Sequence, residues 1–122
     1  MTPEEVVRAA FQAWGEGRID DIGELIAPDA RWRATAPDGA IVWCNGRDEI
    51  LDNFRWVYEQ LRDQIRVTRF TGAGDKVVVG LDSPVRATAA NVITVRAEKI
   101  ALFEDYPDEP EALSAIGLTP SG

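Results

Sequence analysis

The hydrophobic period changes once along this chain of 122 residues, and that change limits the folds open to it. Before about residue 63, apolar side chains recur every three to four positions, with one short strand-like stretch between. After residue 65 they alternate or run in β-branched blocks such as Val77-Val78-Val79. Helices gathered ahead of a meander of strands point to the α+β class, with the helices packed on an antiparallel sheet.

The local signals place the elements. Thr2, Pro3 and Glu5 form a Thr-x-x-Glu capping box with proline at the first helical position. Val6, Val7, Ala10, Phe11 and Trp14 then share one helical face, and Gly15 and Gly17 end the helix. A short second helix capped by Asp20 or Asp21 turns Ile22, Leu25 and Ile26 inward and closes at Pro28. A strand is expected at 30–36, and Pro37-Asp38-Gly39 signals a turn. Residues 41–44 read as a short strand or an inward-packing loop. A third helix from about 47 to 63 carries the stripe Ile50, Phe54, Val57, Leu61, with Trp56 off it. Strands follow at 66–71, 76–82, 87–95 and 100–106, with Pro84 marking a bulge or an edge. The chain reads as one domain, 1–122, with an acidic tail from about 107 and one helical turn at 111–116.

Composition removes whole classes of chemistry. Thirteen basic and twenty-one acidic residues give a formal charge of −8, a poor match for nucleic acid, whose affinity rests on Lys and Arg. There is no histidine, which excludes Ser-His-Asp and Cys-His nucleophiles and imidazole metal ligands. The single cysteine, Cys44, has no histidine to activate it and reads as a small hydrophobe; one thiol fits a reducing, cytoplasmic setting. No apolar run reaches membrane-spanning length and no signal peptide is evident, so no membrane partner is expected. The acidic cluster Glu104, Asp105, Asp108, Glu109 and Glu111 lacks the spacing of a cation loop, so no metal and no cofactor is expected. Gly72-x-Gly74 is too short to cradle a phosphate.

Several ordered motifs carry a family likeness. Phe11-Gln12-Ala13-Trp14, Gly17-Arg18-Ile19-Asp20, Leu25 to Ala30, Asn45-Gly46-Arg47-Asp48-Glu49-Ile50, and Lys99-Ile100 through Asp105-Tyr106-Pro107-Asp108 follow one another along nearly the whole chain. Their order resembles the nuclear transport factor 2-like superfamily and, within it, the SnoaL-like (polyketide cyclase) group. The resemblance implies a curved, mixed sheet wrapped by three N-terminal helices into a cystatin-like cone with an internal apolar pocket, and a homodimer formed through the sheet. It implies isomerase, cyclase, dehydratase or hydrolase activity without a cofactor, or non-catalytic binding of a small apolar molecule.

Within that frame Asp105 is the principal candidate for catalysis. Counting in twos places it on the face of Phe103, where burial would raise its pKa and make it an acid or base near neutral pH. Alternatively it braces the strand end through hydrogen bonds. Asp82 is the second candidate, sharing a face with Val78 and Gly80; it equally suits a solvated turn opening. Asp82 and Asp105 match the two aspartates of the limonene epoxide hydrolase branch. That branch's arginine falls at Gly80, with Arg86 as a possible substitute on the Asp82 face, and its tyrosine and asparagine fall at Trp32 and Ala34. The steroid isomerase branch has its base at the place of Ala34, and its tyrosine has no counterpart near Ala10 or Phe11. The resemblance puts Trp14 and Trp32 in the pocket and Trp43 at its mouth, with Phe54 and Phe103 as further lining; each aromatic also suits plain core packing. Such surfaces suit a polycyclic, terpenoid or aromatic ligand. Trp56 is left for a rim or a dimer contact.

Overall fold

The structure is a computed structural model describing residues 1–36, 38–82 and 88–118. Helix α1 (Pro3–Gly15) and the short α2 (Ile19–Ile22) lead through a single 3₁₀ turn into strand β1 (Ile26–Thr35). Strand β2 (Ile41–Asn45), helix α3 (Arg47–Leu61), strands β3 (Arg66–Ala73), β4 (Lys76–Asp82), β5 (Ala90–Arg96) and β6 (Lys99–Tyr106), and helix α4 (Glu109–Ala115) follow. The six strands form one sheet in the order β2-β1-β6-β5-β4-β3. Among the described pairs only β1–β6 is parallel; the other four are antiparallel. The α+β class and the mixed sheet stand as expected. No described helix is long and apolar enough to cross a membrane.

The local chemistry accounts for most boundaries. The Thr2 hydroxyl accepts from Glu5 N and the Glu5 carboxylate accepts from Thr2 N, completing the capping box of α1. The β5–β6 hairpin turns on Ala97 and Glu98, both at positive φ, the geometry of a tight two-residue connection. Helix α3 starts at Gly46, whose φ of 90° and ψ of 161° are open almost only to glycine.

Three expectations are corrected. Helix α2 stops at Ile22, and Ile26 already belongs to β1, where it pairs with Ile100. The proline expected to close that helix, Pro28, therefore sits inside a strand. It lies where β1 shifts register against β6 and before β2 begins to pair, so its missing N–H costs no ladder bond. In the acidic tail the helical turn expected at 111–116 is present as α4 but starts two residues earlier, at Glu109. Asp108 caps it by accepting from Glu111 N at 2.7 Å, and Ala112, Leu113 and Ile116 pack on Val78, Ala90 and Val92. The turn residue Pro37, the edge residue Pro84, Arg86 and the strand start at Ala87 lie outside the described residues.

The inner face of the sheet carries the main core. Val6, Val7, Ala10 and Trp14 of α1 and Ile50 and Phe54 of α3 close over Trp32, Val77, Val79, Ile93 and Phe103. Burying each such side chain contributes about 1.5–3 kcal/mol. On the outer face, α4 is pinned by Glu109, which takes a 2.6 Å ion pair from Arg69. Its carboxylate rests over Gly80, where a Cβ would come within 2.1 Å of Oε2; that approach needs glycine. Gly46→Ala is expected to lower unfolding free energy by about 1–3 kcal/mol. Urea denaturation checks this, with the midpoint falling and the slope unchanged.

Candidate active site

Asp105 reaches the inner face because β6 carries an irregularity near its start. The turn pairs Arg96 with Lys99 and Val95 with Ile100, but Thr94 pairs with Leu102, so Ala101 is extra. This bulge puts Ile100, Phe103 and Asp105 on the inner side together. It also sets Asn91 directly opposite Asp105. Without it, the turn would pair Asn91 with Glu104.

The carboxylate is only 8% exposed and is ringed by donors. Oδ1 accepts from Trp32 Nε1 at 2.9 Å and from Asn91 Nδ2 at 3.0 Å. Oδ2 accepts from Thr35 N at 2.9 Å and, at a long 3.4 Å, from the Thr88 hydroxyl. Burial pushes the Asp105 pKa above its ordinary value; the bonds from Trp32, Thr35 and Thr88 and the charge of Arg33 pull the other way without cancelling it. Arg33 acts from the outer face, where Nη2 donates to the main-chain carbonyl of Asp105 at 3.1 Å. Of the four donors, only the Thr88 hydroxyl can reverse and accept. Oδ2 is thus the oxygen at which a proton can sit or from which it can leave.

Beside the carboxylate lies a cavity of about 90 Å³. Trp32 packs at a tilt against Phe103 and Phe54, with ring centroids 4.5 and 4.7 Å away, and these rings line the cavity. Trp14 lines it too, held by a 3.1 Å bond from Nε1 to the Phe54 carbonyl. Phe11 adds a wall, and Trp56, 46% exposed, stands at the rim. Among the described lining residues Asp105 is the only one that ionises. The volume is below the roughly 150 Å³ of an engineered cavity that holds benzene, so a polycyclic ligand does not fit enclosed. The group that reaches Asp105 is a few heavy atoms across.

Two candidates stand elsewhere. Asp82 lies on the outer face, exposed, in a 3.0 Å ion pair with its cross-strand neighbour Arg66. Its strand turns Leu81 into the cavity instead, so the two aspartates do not meet. Gly80 shares the outer face, under Glu109, so neither the arginine's place nor Asp82 serves this cavity. Trp43 pairs with Arg33, which puts it on the outer face; the Arg31 guanidinium covers its ring at 4.2 Å. Cys44 takes the inner place opposite Trp32, and burial pushes its thiol up, as befits an inert hydrophobe. Trp14, Trp32, Phe54 and Phe103, which the resemblance puts in the pocket, line the cavity. Thr35, Thr88 and Asn91 were not singled out by sequence reasoning; neutral residues on strand ends give no signal until the register is known.

An acid whose pKa is higher folded than unfolded binds more protons in the folded state between those two values. Its contribution to stability therefore falls as pH rises from the ordinary carboxylate range through the raised pKa. The stability difference between the wild type and Asp105→Asn is expected to shift against the wild type over that interval. Denaturation at a series of pH values checks it. Trp32→Phe removes a donor to the charged form, and carboxyl ¹³C NMR should then show Asp105 titrating higher still.

Comparison with known proteins matches residues 7–103 to the SnoaL-like domain family. No curated protein matches the sequence. Several solved structures share the fold. An NTF2-like protein of unknown function from Burkholderia pseudomallei is 22% identical, with 96% of this chain and 99% of that one covered and a TM-score of 0.66. An uncharacterised cystatin-fold protein from Novosphingobium aromaticivorans is 14% identical, with coverage of 85% and 97% and a TM-score of 0.65. A hypothetical protein of ketosteroid isomerase-like fold from Catenulispora acidiphila, in complex with trimethylamine, is 25% identical, with coverage of 97% and 95% and a TM-score of 0.63.

Proposed function

The chain belongs to the SnoaL-like family, and on that footing we propose that it is a cofactor-free enzyme moving a single proton on a small substrate, with Asp105 as its acid–base group. The observation that carries this reading is a buried carboxyl, alone among the described ionisable groups of an aromatic-lined cavity. Burial raises its proton affinity toward neutral pH, where proton transfer is most effective. The Catenulispora neighbour, in complex with trimethylamine, supports reading the cone as a small-ligand pocket.

Among the family's reactions, single-base isomerisation or cyclisation fits best. Epoxide opening by two acids asks for a second carboxyl, and Asp82 lies outside the cavity. The steroid isomerase arrangement asks for a base at Ala34. In a one-base route Oδ2 takes a proton from a substrate carbon and returns it to a neighbouring one, while Thr88 turns its hydroxyl to follow. A second reading, a binding protein without chemistry, is favoured by the four donors that already occupy the carboxylate oxygens.

Exchange in D₂O separates the two. Small ketones and enones incubated with the wild type should take up deuterium beside the carbonyl, followed by ¹H NMR. Asp105→Asn should lower that rate by about 10²–10⁴-fold. Asparagine cannot accept all four donors, so a stability loss of about 1–3 kcal/mol accompanies it and is to be measured alongside. Exchange no faster than buffer, or equally fast in the variant, leaves the binding reading.

The protein is further proposed to be a cytoplasmic homodimer. Helix α4 covers the outer face over β4 and β5, leaving Ile41 and Trp43 exposed at the β1–β2 end for a second copy. Trp43→Glu should shift the sedimentation coefficient from dimer to monomer.

A further inference from the structure

Among the described residues the Asp105 carboxylate has no cationic partner inside its cavity. Among the described residues no lysine or arginine lines the space. Arg33 approaches from the other side of the sheet, bonded to the main-chain carbonyl, and shares its charge with Glu104 at 3.7 Å. A buried ionised carboxylate without a cation is costly, and four neutral donors spread that charge without neutralising it. A ligand cation in the cavity would add a neutralising charge that none of the described lining residues supplies.

The rest of the cavity is suited to one kind of cation. Trp32, Phe54 and Phe103 line the cavity as a cluster of tilted and edge-to-face rings, and aromatic rings attract ammonium groups by about 0.5–2 kcal/mol. Trp56 offers a further ring at the rim. A hydrated inorganic ion gains nothing from such walls, whereas alkyl substituents on nitrogen fill them. The net charge of −8 draws cations toward the molecule and turns anionic substrates away.

We propose that the ligand of this cavity carries a substituted ammonium group, its alkyl surface on the Trp32–Phe54–Phe103 cluster and its charge facing the Asp105 carboxylate. The inference rests on the ligand-pocket reading above and names the chemical class of the molecule it takes. Where Asp105 is protonated, binding the cation releases that proton to solvent, so charge is conserved in the cavity. Among the described residues the other titratable or charged groups acting on Asp105 are Arg33 on β1 and the Cys44 thiol on β2. Helices α1 and α3 and strand β5 line the cavity with Phe11, Phe54 and Asn91, which do not titrate.

The test compares choline with 3,3-dimethylbutan-1-ol, which has the same shape and no charge. Binding is followed by calorimetry and by the indole N–H signals of Trp14 and Trp32. Choline should bind the wild type at least about tenfold more tightly than the alcohol. Its affinity should rise with pH through the Asp105 titration, with proton release, while that of the alcohol stays flat. Asp105→Asn should abolish the preference; the pH comparison within the wild type needs no variant. Equal affinity, tighter binding of the alcohol, a preference that survives in folded Asp105→Asn, or no binding of either probe overturns the inference. Deuterium exchange without cation preference would sink this inference and leave the catalytic reading standing. Cation preference without exchange would do the reverse.

Discussion

One extra residue in β6 organises the interior of this protein. Ala101 bulges out of the β5–β6 ladder, and every pair beyond it moves by one position. The shift brings Asn91 against Asp105 and packs Phe103 against Trp32, so the carboxylate meets its donors and its aromatic lining together. A regular ladder would set Asn91 against Glu104 and strip Asp105 of a side-chain donor. The parallel contact with β1 adds the second half, since Trp32 pairs with Phe103 and sends its indole N–H to the carboxylate.

The physics of the site follows from solvent exclusion. Two aspartates have the same chemistry in the sequence and opposite fates in the fold. Asp82 faces water beside Arg66, where an exposed ion pair contributes little. Asp105 lies behind the sheet's aromatic lining, where loss of hydration favours the proton and each hydrogen bond counts for more.

The outer face tells a different story from the inner one. Alternation along β4 sends Val77, Val79 and Leu81 to the cavity side and Val78, Gly80 and Asp82 to the side of α4. Glycine at position 80 lets the Glu109 carboxylate settle against the strand, and Arg69 fixes it there. The outer face near β2 is left to Trp43, Arg31 and Ile41.

Periodicity, caps and turns by themselves determined the helices α1 and α3, the strand-rich second half, the α+β class and the inward faces of Trp14 and Phe54. These are local properties, decided by neighbours within a turn of helix or a few strand residues. Trp32 and Phe103 were placed by the family resemblance. The absence of histidine likewise left proton transfer to carboxyl, tyrosine, lysine and cysteine side chains before any fold was known. Which carboxyl serves was a matter of register. Counting in twos gave faces correctly for β4 but not which face is inside, and it could not foresee the Ala101 bulge, because a bulge is chosen by what two strands gain in packing across the sheet. The place of Trp43 depended in the same way on its pairing with Arg33. The burial of α4 depended on an apolar outer patch built from three separate strands. Contacts between residues far apart in sequence decided these points, and no single segment carries them.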